Sequence, residues 1–445
     1  MTESRRPKVL VLAESANPHW SSASLIGWSL SQALRTVADV HVVTHPRNSA
    51  DLQAAGWVEG RDFTAVDPAR VERPVTRFGE GVRKVTRLGW TWTTAFSTFS
   101  YYYFEHLVWQ RFGEALRRRE FDVVHRITPV SPATPSVIAP RCRRIGVPFV
   151  WGPMNGGVPW PKEFRSALRR EGEWLSYVRG ARKLLPGYGA TRRSAAALVA
   201  GSTYVWDDLG PYRSRVVYLP ENAIEPERFA GLSGPGRGNG TGPTSAERHG
   251  PLRAAFVGRL VSLKGVDMLL EAAAELVRSG QLVLDIIGDG PEMPRCREII
   301  ARERMDSGVL LPGWIDQRDV LKRLGQAQVF TFPSIREFGG GVVLEAMALG
   351  LAPVVIRYGG PAELVTDDTG IRVPMGSRES IVQALKTILE ELVASPNRVR
   401  RLGEAARERV YRLFTWEVKA RQISEIYRWV LGEGARPDFG MPLSR

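Results

Sequence analysis

The chain has 445 residues, enough for two or three domains of ~150 residues, with 43% hydrophobic and 24% charged residues in an ordinary globular balance. Two distant cysteines, Cys142 and Cys296, argue against a disulfide framework and fit a reducing cytoplasm, and with six scattered histidines they build no metal cluster. The formal net charge of +14 suits an anionic partner, and without a helix-turn-helix, zinc-finger or RNA-binding signature nucleic acid is disfavoured against a membrane surface or an anionic substrate. A basic host proteome is the bland explanation of the same charge.

The first residues, MTESRRPKVLVLAES, hold a short apolar run ending at Glu14, which reads as a first strand and not a signal peptide. No run of about 20 apolar residues follows anywhere, so no membrane-spanning helix is expected. The predicted location is cytoplasmic, with attachment to the inner face of the membrane as an option.

Lys8 to Ala13 is a buried-type strand, the loop Glu14 to Ser24 follows, and Leu25, Ile26, Leu30, Ala33 and Leu34 recur at helical period. With a second strand at Val40 to Thr44 this is a βαβ unit, which implies a parallel sheet.

Between residues 71 and 120, Arg77, Arg83, Lys84, Arg87, Arg111, Arg117, Arg118 and Arg119 flank the aromatics Trp90, Trp92, Phe96, Phe99, Tyr101, Tyr102, Tyr103, Phe104 and Trp109. Cations beside aromatics suit an anionic membrane interface. A pair of core helices with solvated basic faces explains the same residues, because the aromatics are too many for one face.

Phe121 to His125 is a strand with histidine at its end, and Pro148 to Pro159 is a strand followed by the turn Asn155-Gly156-Gly157. Ala195 to Ser202 and Val216 to Leu219 read as the last strands of the first sheet. Gly231 to Gly250 is rich in Gly and Pro, as a flexible boundary segment would be. A second array then begins at Leu252.

In this array Ala255-Phe256-Val257 ends at Gly258 and is followed by Arg259 and Lys264. Ligands of open α/β sheets sit just past the carboxyl ends of strands, and a bidentate arginine with a point-charge lysine suits a diphosphate. Two surface cations are the plain alternative. A similar strand-end turn recurs at Gly288-Asp289-Gly290-Pro291. After the apolar run Val329, Phe330, Phe332 come Glu337, the glycines Gly339, Gly340 and Gly341, a helix from Val342 that holds Glu345 and stops at Gly350, and a strand from Ala352 to Ile356. Glycines let a backbone approach a ligand and helix N-termini attract anions, so this stretch fits a phosphate site with a carboxylate at each end. Taken alone, it fits a glycine turn with two solvated glutamates equally well. Helices are predicted over 377–394 and 398–411, and a last one from Trp416 to Leu431.

In this order FVGRL…KG, GDGP and PS…EFGGG…EAMALG, with seven residues between Glu337 and Glu345, resemble the retaining glycosyltransferases of family 4, a part of the glycosyl transferases group 1. The resemblance is dense over roughly 250–376 and looser before it. It implies an α/β protein of two Rossmann-like domains facing across a cleft, the GT-B fold. The boundaries would be an acceptor-binding domain over 1–220, a linker region over 221–251, a nucleotide-sugar domain over 252–414, and from 415 to 445 a helix crossing back to the first domain plus a tail.

The activity implied is transfer of a hexose, with retention, from a nucleotide-diphosphate sugar to a lipid-linked or saccharide acceptor in polysaccharide or glycolipid synthesis. The nucleotide sugar, UDP- or GDP-linked, is a substrate, and no cofactor or metal is implied; the adjacent pairs Asp207-Asp208 and Asp367-Asp368 are poorly placed for a metal-binding DxD motif. By the same resemblance Arg259, Lys264, Gly339, Gly340, Gly341 and Val342 bind the diphosphate, Glu345 holds the ribose hydroxyls, and Glu337 and His125 sit at the reacting sugar, while Asn155, Gly156 and Gly157 line the acceptor side. Two features depart from the family pattern. The loop Asn17 to Ser22 lacks the usual paired glycines, and many members place the histidine two residues later, where this chain has Ile127. A nucleotide-sugar epimerase of the same fold and a non-catalytic membrane- or polysaccharide-binding protein stay open as alternatives.

Overall fold

The computed structural model describes residues 5–68, 89–164, 183, 185–232 and 250–440. The chain divides into two compact units. Of the described residues the first takes 5–157, 183, 185–221 and 416–440, and the second takes 158–164, 222–232 and 250–415.

The first unit is built on a seven-stranded parallel sheet. Its strands are β1 (Lys8–Ala13), β2 (Asp39–Thr44), β3 (Phe63–Ala65), β4 (Val123–Thr128), β5 (Phe149–Met154), β6 (Ala197–Ala200) and β7 (Val216–Tyr218), in the order β3-β2-β1-β4-β5-β6-β7. Val9 to Leu12 are fully buried, as expected where helices cover both faces of a parallel sheet. The helix Ala23–Leu34 follows β1, and the last helix, Trp416–Val430, belongs to this unit and packs against it.

The second unit has a six-stranded parallel sheet in the order β10-β9-β8-β11-β12-β13. Its strands are β8 (Leu252–Val257), β9 (Leu282–Ile287), β10 (Val309–Gly313), β11 (Val329–Phe332), β12 (Ala352–Ile356) and β13 (Ile371–Val373). Two parallel α/β sheets, each doubly wound, make the GT-B architecture.

Two boundaries differ from expectation. Of the segment predicted as a linker over 221–251, residues 222–232 are built into the second unit: Ile224 bridges to Thr415, its N–H donating to Phe414 O at 2.8 Å, and Phe229 is buried. The rest of that segment, 233–249, lies outside the described residues. Second, β4 starts at Val123 and runs on to Thr128, so His125 is an interior strand residue and not a strand end.

Candidate functional site

The carboxyl edge of the second sheet is an assembly of turns that only glycine permits. Gly288 follows β9 at φ +140°, and a Cβ there would lie 2.0 Å from Gly258 O after β8. Gly258 N–H donates to Ile287 O, and Gly288 N–H to Gly313 O, so the turns after β8, β9 and β10 are stitched side by side. The loops after β8 and β11 are joined likewise, by Ile335 N–H to Leu263 O and by Ser334 Oγ to the same carbonyl.

This edge positions the charged residues. Arg259 is exposed just past β8. Lys264 ends a short 3-10 turn, Ser262–Lys264, and its Nζ is paired with Glu337 Oε2 while lying 4.8 Å over the Phe332 ring. Both partners are largely enclosed, at 16% and 22% side-chain exposure, which keeps the pair from full solvent screening. Glu337 stands in the loop after β11, and a Cβ on Gly360 would lie 2.0 Å from Phe338 O, so the two loops touch backbone to backbone.

The helix Gly341–Ala348 follows, capped by Gly340 at φ +72°, which has no side chain to bond to the first turn. Amides of such a turn are left to solvent or to a ligand. One turn in, Glu345 Oε1 is 3.4 Å from Arg228 Nη2 and 3.3 Å from Gln317 Nε2. Burial pushes the Glu345 carboxyl above its usual range, and Arg228 and the Gln317 amide pull it back. The second unit therefore brings Arg259, Lys264, Glu337, Gly339 to Val342 and Glu345 to one sheet edge.

Sequence reasoning missed Arg228, Gln317 and Arg336. Arg228 lies in the supposed linker, which hid it. Arg336 Nε donates to Val158 O at 2.9 Å, and its guanidinium lies 5.2 Å from the Trp160 ring and 5.1 Å from the Phe338 ring. Trp314, just past β10, is a large apolar residue that is 78% exposed.

The first unit treats its candidates differently. His125 is wholly buried: Nε2 donates to Gly152 O at 2.6 Å, and Nδ1 accepts from Tyr427 Oη at 2.6 Å. Burial lowers its pKa to about 4, so the ring is neutral. Both nitrogens are committed within the protein, and the expected place of His125 at a reacting sugar is corrected to a structural tie between β4, β5 and the last helix. Asn155 is likewise buried, its amide donating to Glu221 Oε1 at 2.7 Å and its Oδ1 accepting from Gly156 N–H. It clamps its own turn, and of the acceptor-side residues only Gly156 and Gly157, at φ +124° and +78°, are partly open.

In the aromatic region, 77–88 lies outside the described residues, while a helix spans Gly89–Arg117. Tyr101, Phe104, Val108 and Leu116 are in the core, Tyr102 donates to Pro186 O, and Phe99 is 55% exposed. No helix among the described residues is long and apolar enough to cross a membrane.

The family description "Glycosyl transferases group 1" matches residues 243–409. Alpha-maltose-1-phosphate synthase of Mycobacterium tuberculosis is 34% identical over 286 residues, covering 61% of this chain and 70% of that protein. The synthase of the same name from Mycolicibacterium smegmatis is 36% identical over 185 residues, 40% of this chain and 47% of that protein. Among solved structures, Anabaena HepE in complex with UDP is 16% identical with a TM-score of 0.61, over 94% of this chain and 99% of that one. Sucrose-phosphate synthase of Thermosynechococcus elongatus is 17% identical with a TM-score of 0.59, over 96% and 100%. These two likenesses extend the shared fold to nearly the whole chain.

Proposed function

The chain belongs to the glycosyl transferases group 1 family, and from that premise we propose that it moves a hexose from a UDP- or GDP-linked donor to a hydroxyl acceptor with retention at the anomeric carbon. The observation that carries this reading is the Lys264–Glu337 pair beside the glycine-capped helix Gly341–Ala348, which holds Glu345 in its second turn. HepE was solved with UDP and with UDP-glucose, which favours UDP as the first donor base to test.

The chemistry follows from the charges. The bond between the anomeric carbon and the diphosphate oxygen breaks, and the negative charge gathers on the departing diphosphate. Lys264, Arg259 and the amides from Gly339 to Val342 stabilise that charge, and fixed donors do so without reorganising as it develops. The acceptor oxygen bonds to the same face of the sugar and passes its proton to the leaving phosphate oxygen. Glu337 orients Lys264 and the donor hydroxyls. Glu345 accepts from the ribose hydroxyls.

Purified protein should transfer hexose from UDP- or GDP-sugar in EDTA and give a product of unchanged anomeric configuration by NMR. An inverted product, or activity lost on chelation, would sink the corresponding part of the reading. For the acceptor we propose a saccharide or lipid-linked molecule met at an anionic membrane, supported by the net charge of +14 and the cations that flank the aromatic region. Sedimentation with anionic but not neutral vesicles, weakening with salt, tests it; protein that ignores anionic vesicles has a soluble acceptor.

A further inference from the structure

At the opposite, amino-terminal edge of the first sheet, three arginines meet where β5, β6 and β7 begin. Arg143 is in the last turn of the helix Ala139–Ile145, Arg193 is in the last turn of the helix Tyr188–Ser194, and Arg215 directly precedes β7. They line a cavity of about 530 Å³ whose apolar wall includes Val147, Phe149 and Ala195, and among the described residues no Asp or Glu lines it.

Part of this arrangement closes helix ends. Arg215 Nη1 donates to Arg193 O at 3.0 Å and Ala195 O at 2.6 Å, and Arg143 Nη1 donates to Arg193 O at 2.9 Å. That engages one nitrogen of each fork. A guanidinium carries five N–H donors, so most of the donors of Arg143 and Arg215 are left over. Among the described residues none of the three arginines lies within ion-pair distance of a carboxylate, whereas Arg192 has Asp208 and Lys264 has Glu337. Burial and the charge of Arg143 both push the Arg215 pKa down. Three like charges converge on one cavity, and a bound anion would relieve their repulsion.

We propose that this cavity is a binding site for a phosphate group, separate from the donor edge of the other unit, with Arg143, Arg193 and Arg215 as its donors. Planar guanidinium forks match tetrahedral phosphate oxygens bidentately, which a carboxylate-poor cluster of lysines would not do. The apolar wall suits a phosphate that carries an organic substituent, and the source is either a soluble phosphate compound or an anionic lipid headgroup. A nucleic-acid backbone fits less well, because the arginines converge on one point and do not follow a track.

The test uses the full chain with UDP at saturation, so that the donor edge is filled. Inorganic phosphate, dihexanoyl-phosphatidic acid free in solution, and phosphatidylcholine vesicles with and without phosphatidylglycerol are titrated against wild type and the double variant R143E/R193E. Both replaced side chains are exposed, so folding should survive, and far-UV circular dichroism and UDP affinity check that it does. Wild type should bind at least one probe, and the double variant should bind it at least about tenfold more weakly, the scale of one charge-assisted hydrogen bond, with UDP affinity unchanged. Binding of inorganic phosphate assigns a soluble source, and binding only of the lipid probes assigns a headgroup. Should the double variant misfold, R143Q and R193Q singly replace it, each expected to weaken the same probe. The proposal is overturned if no probe binds wild type, or if the variants bind as wild type does. Loss of UDP binding by wild type would count against the glycosyl-transfer reading instead, and the comparison of variants would still be read without UDP.

Discussion

The two sheets are built from the same kind of parallel strands, yet they treat the polar side chains of their strands and following loops in opposite ways. In the second unit Lys264 and Glu337 face each other largely enclosed, and Glu345 keeps one oxygen for Arg228 and Gln317. In the first unit the polar groups at β4 and β5 are closed upon the protein itself. His125 ties to Tyr427 and Gly152, Asn155 to Glu221, and the wholly buried Arg126 donates to Thr134 O and Pro129 O while lying 4.4 Å over the Tyr101 ring. A histidine that satisfies two buried partners is part of the frame, whereas a lysine and a glutamate paired at the rim of a glycine loop can exchange each other for a ligand. Residue type alone does not separate these cases; the strand position and the burial do.

The largest effect that sharpens this contrast is on stability. His125→Ala would orphan a buried hydroxyl and a buried carbonyl and vacate the ring volume, costing roughly 3–5 kcal/mol in urea unfolding. UDP affinity should be unchanged. A variant as stable as wild type but unable to transfer sugar would break the comparison and return His125 to the chemistry.

Binding gives the mirror image. Lys264→Ala should weaken UDP or GDP by roughly 1.5–3 kcal/mol, the scale of a charged hydrogen bond, with little change in unfolding midpoint. Calorimetry showing unchanged affinity would remove Lys264 from the diphosphate.

The buried groups also carry a pH signature. His125 titrates at about 4 when folded against 6.5 when exposed, so between these values the unfolded chain takes up a proton that the folded chain refuses. The contribution of His125 should therefore be full above pH 6.5 and fall as pH drops toward about 4. Lys419, lowered to about 7 by burial against its usual 10.5, acts at the other end: its unfolded form stays protonated there, so stability should rise between about pH 7 and 10.5. Unfolding midpoints across pH test both, with His125→Gln flattening the acidic limb and Lys419→Met the basic one.

Much of the second unit was legible because its signals are local. Strand, glycine turn and helix follow one another within a few residues, so Gly340, Glu337 and Glu345 could be placed from spacing and family resemblance. Ala352–Ile356 was read to the residue. The first unit depends on contacts between residues far apart in the chain. Nothing near His125 announces Tyr427, and nothing near Asn155 announces Glu221. Arg228 was lost for a related reason: it sits beside a Gly- and Pro-rich stretch, and the Ile224–Thr415 bridge, between residues far apart in the chain, ties the segment to the second unit. The aromatic run 99–109 was legible as a helix, but which rings face the core was not, since aromatics occur all round it.

The smallest predicted effect concerns that missed arginine. Arg228 lies 3.4 Å from Glu345 Oε1 at 28% side-chain exposure, so its attraction is partly screened and its removal should cost donor binding only about 1 kcal/mol at neutral pH. Its stronger trace should be in pH dependence. Burial raises the Glu345 pKa and Arg228 is the first of the groups that oppose this. In Arg228→Met the carboxylate would take up its proton at a higher pH, and the acidic limb of kcat/KM for the donor should move upward. Arg228→Lys keeps the charge and should largely restore the limb, although it loses the planar fork. A methionine retains much of the packing that Arg228 makes on the Phe229 ring, 5.9 Å from its guanidinium, so a merely structural role predicts an unmoved limb in both variants. An unmoved limb would place Arg228 outside the donor edge, and a moved one would extend that edge into the segment read from sequence as a linker.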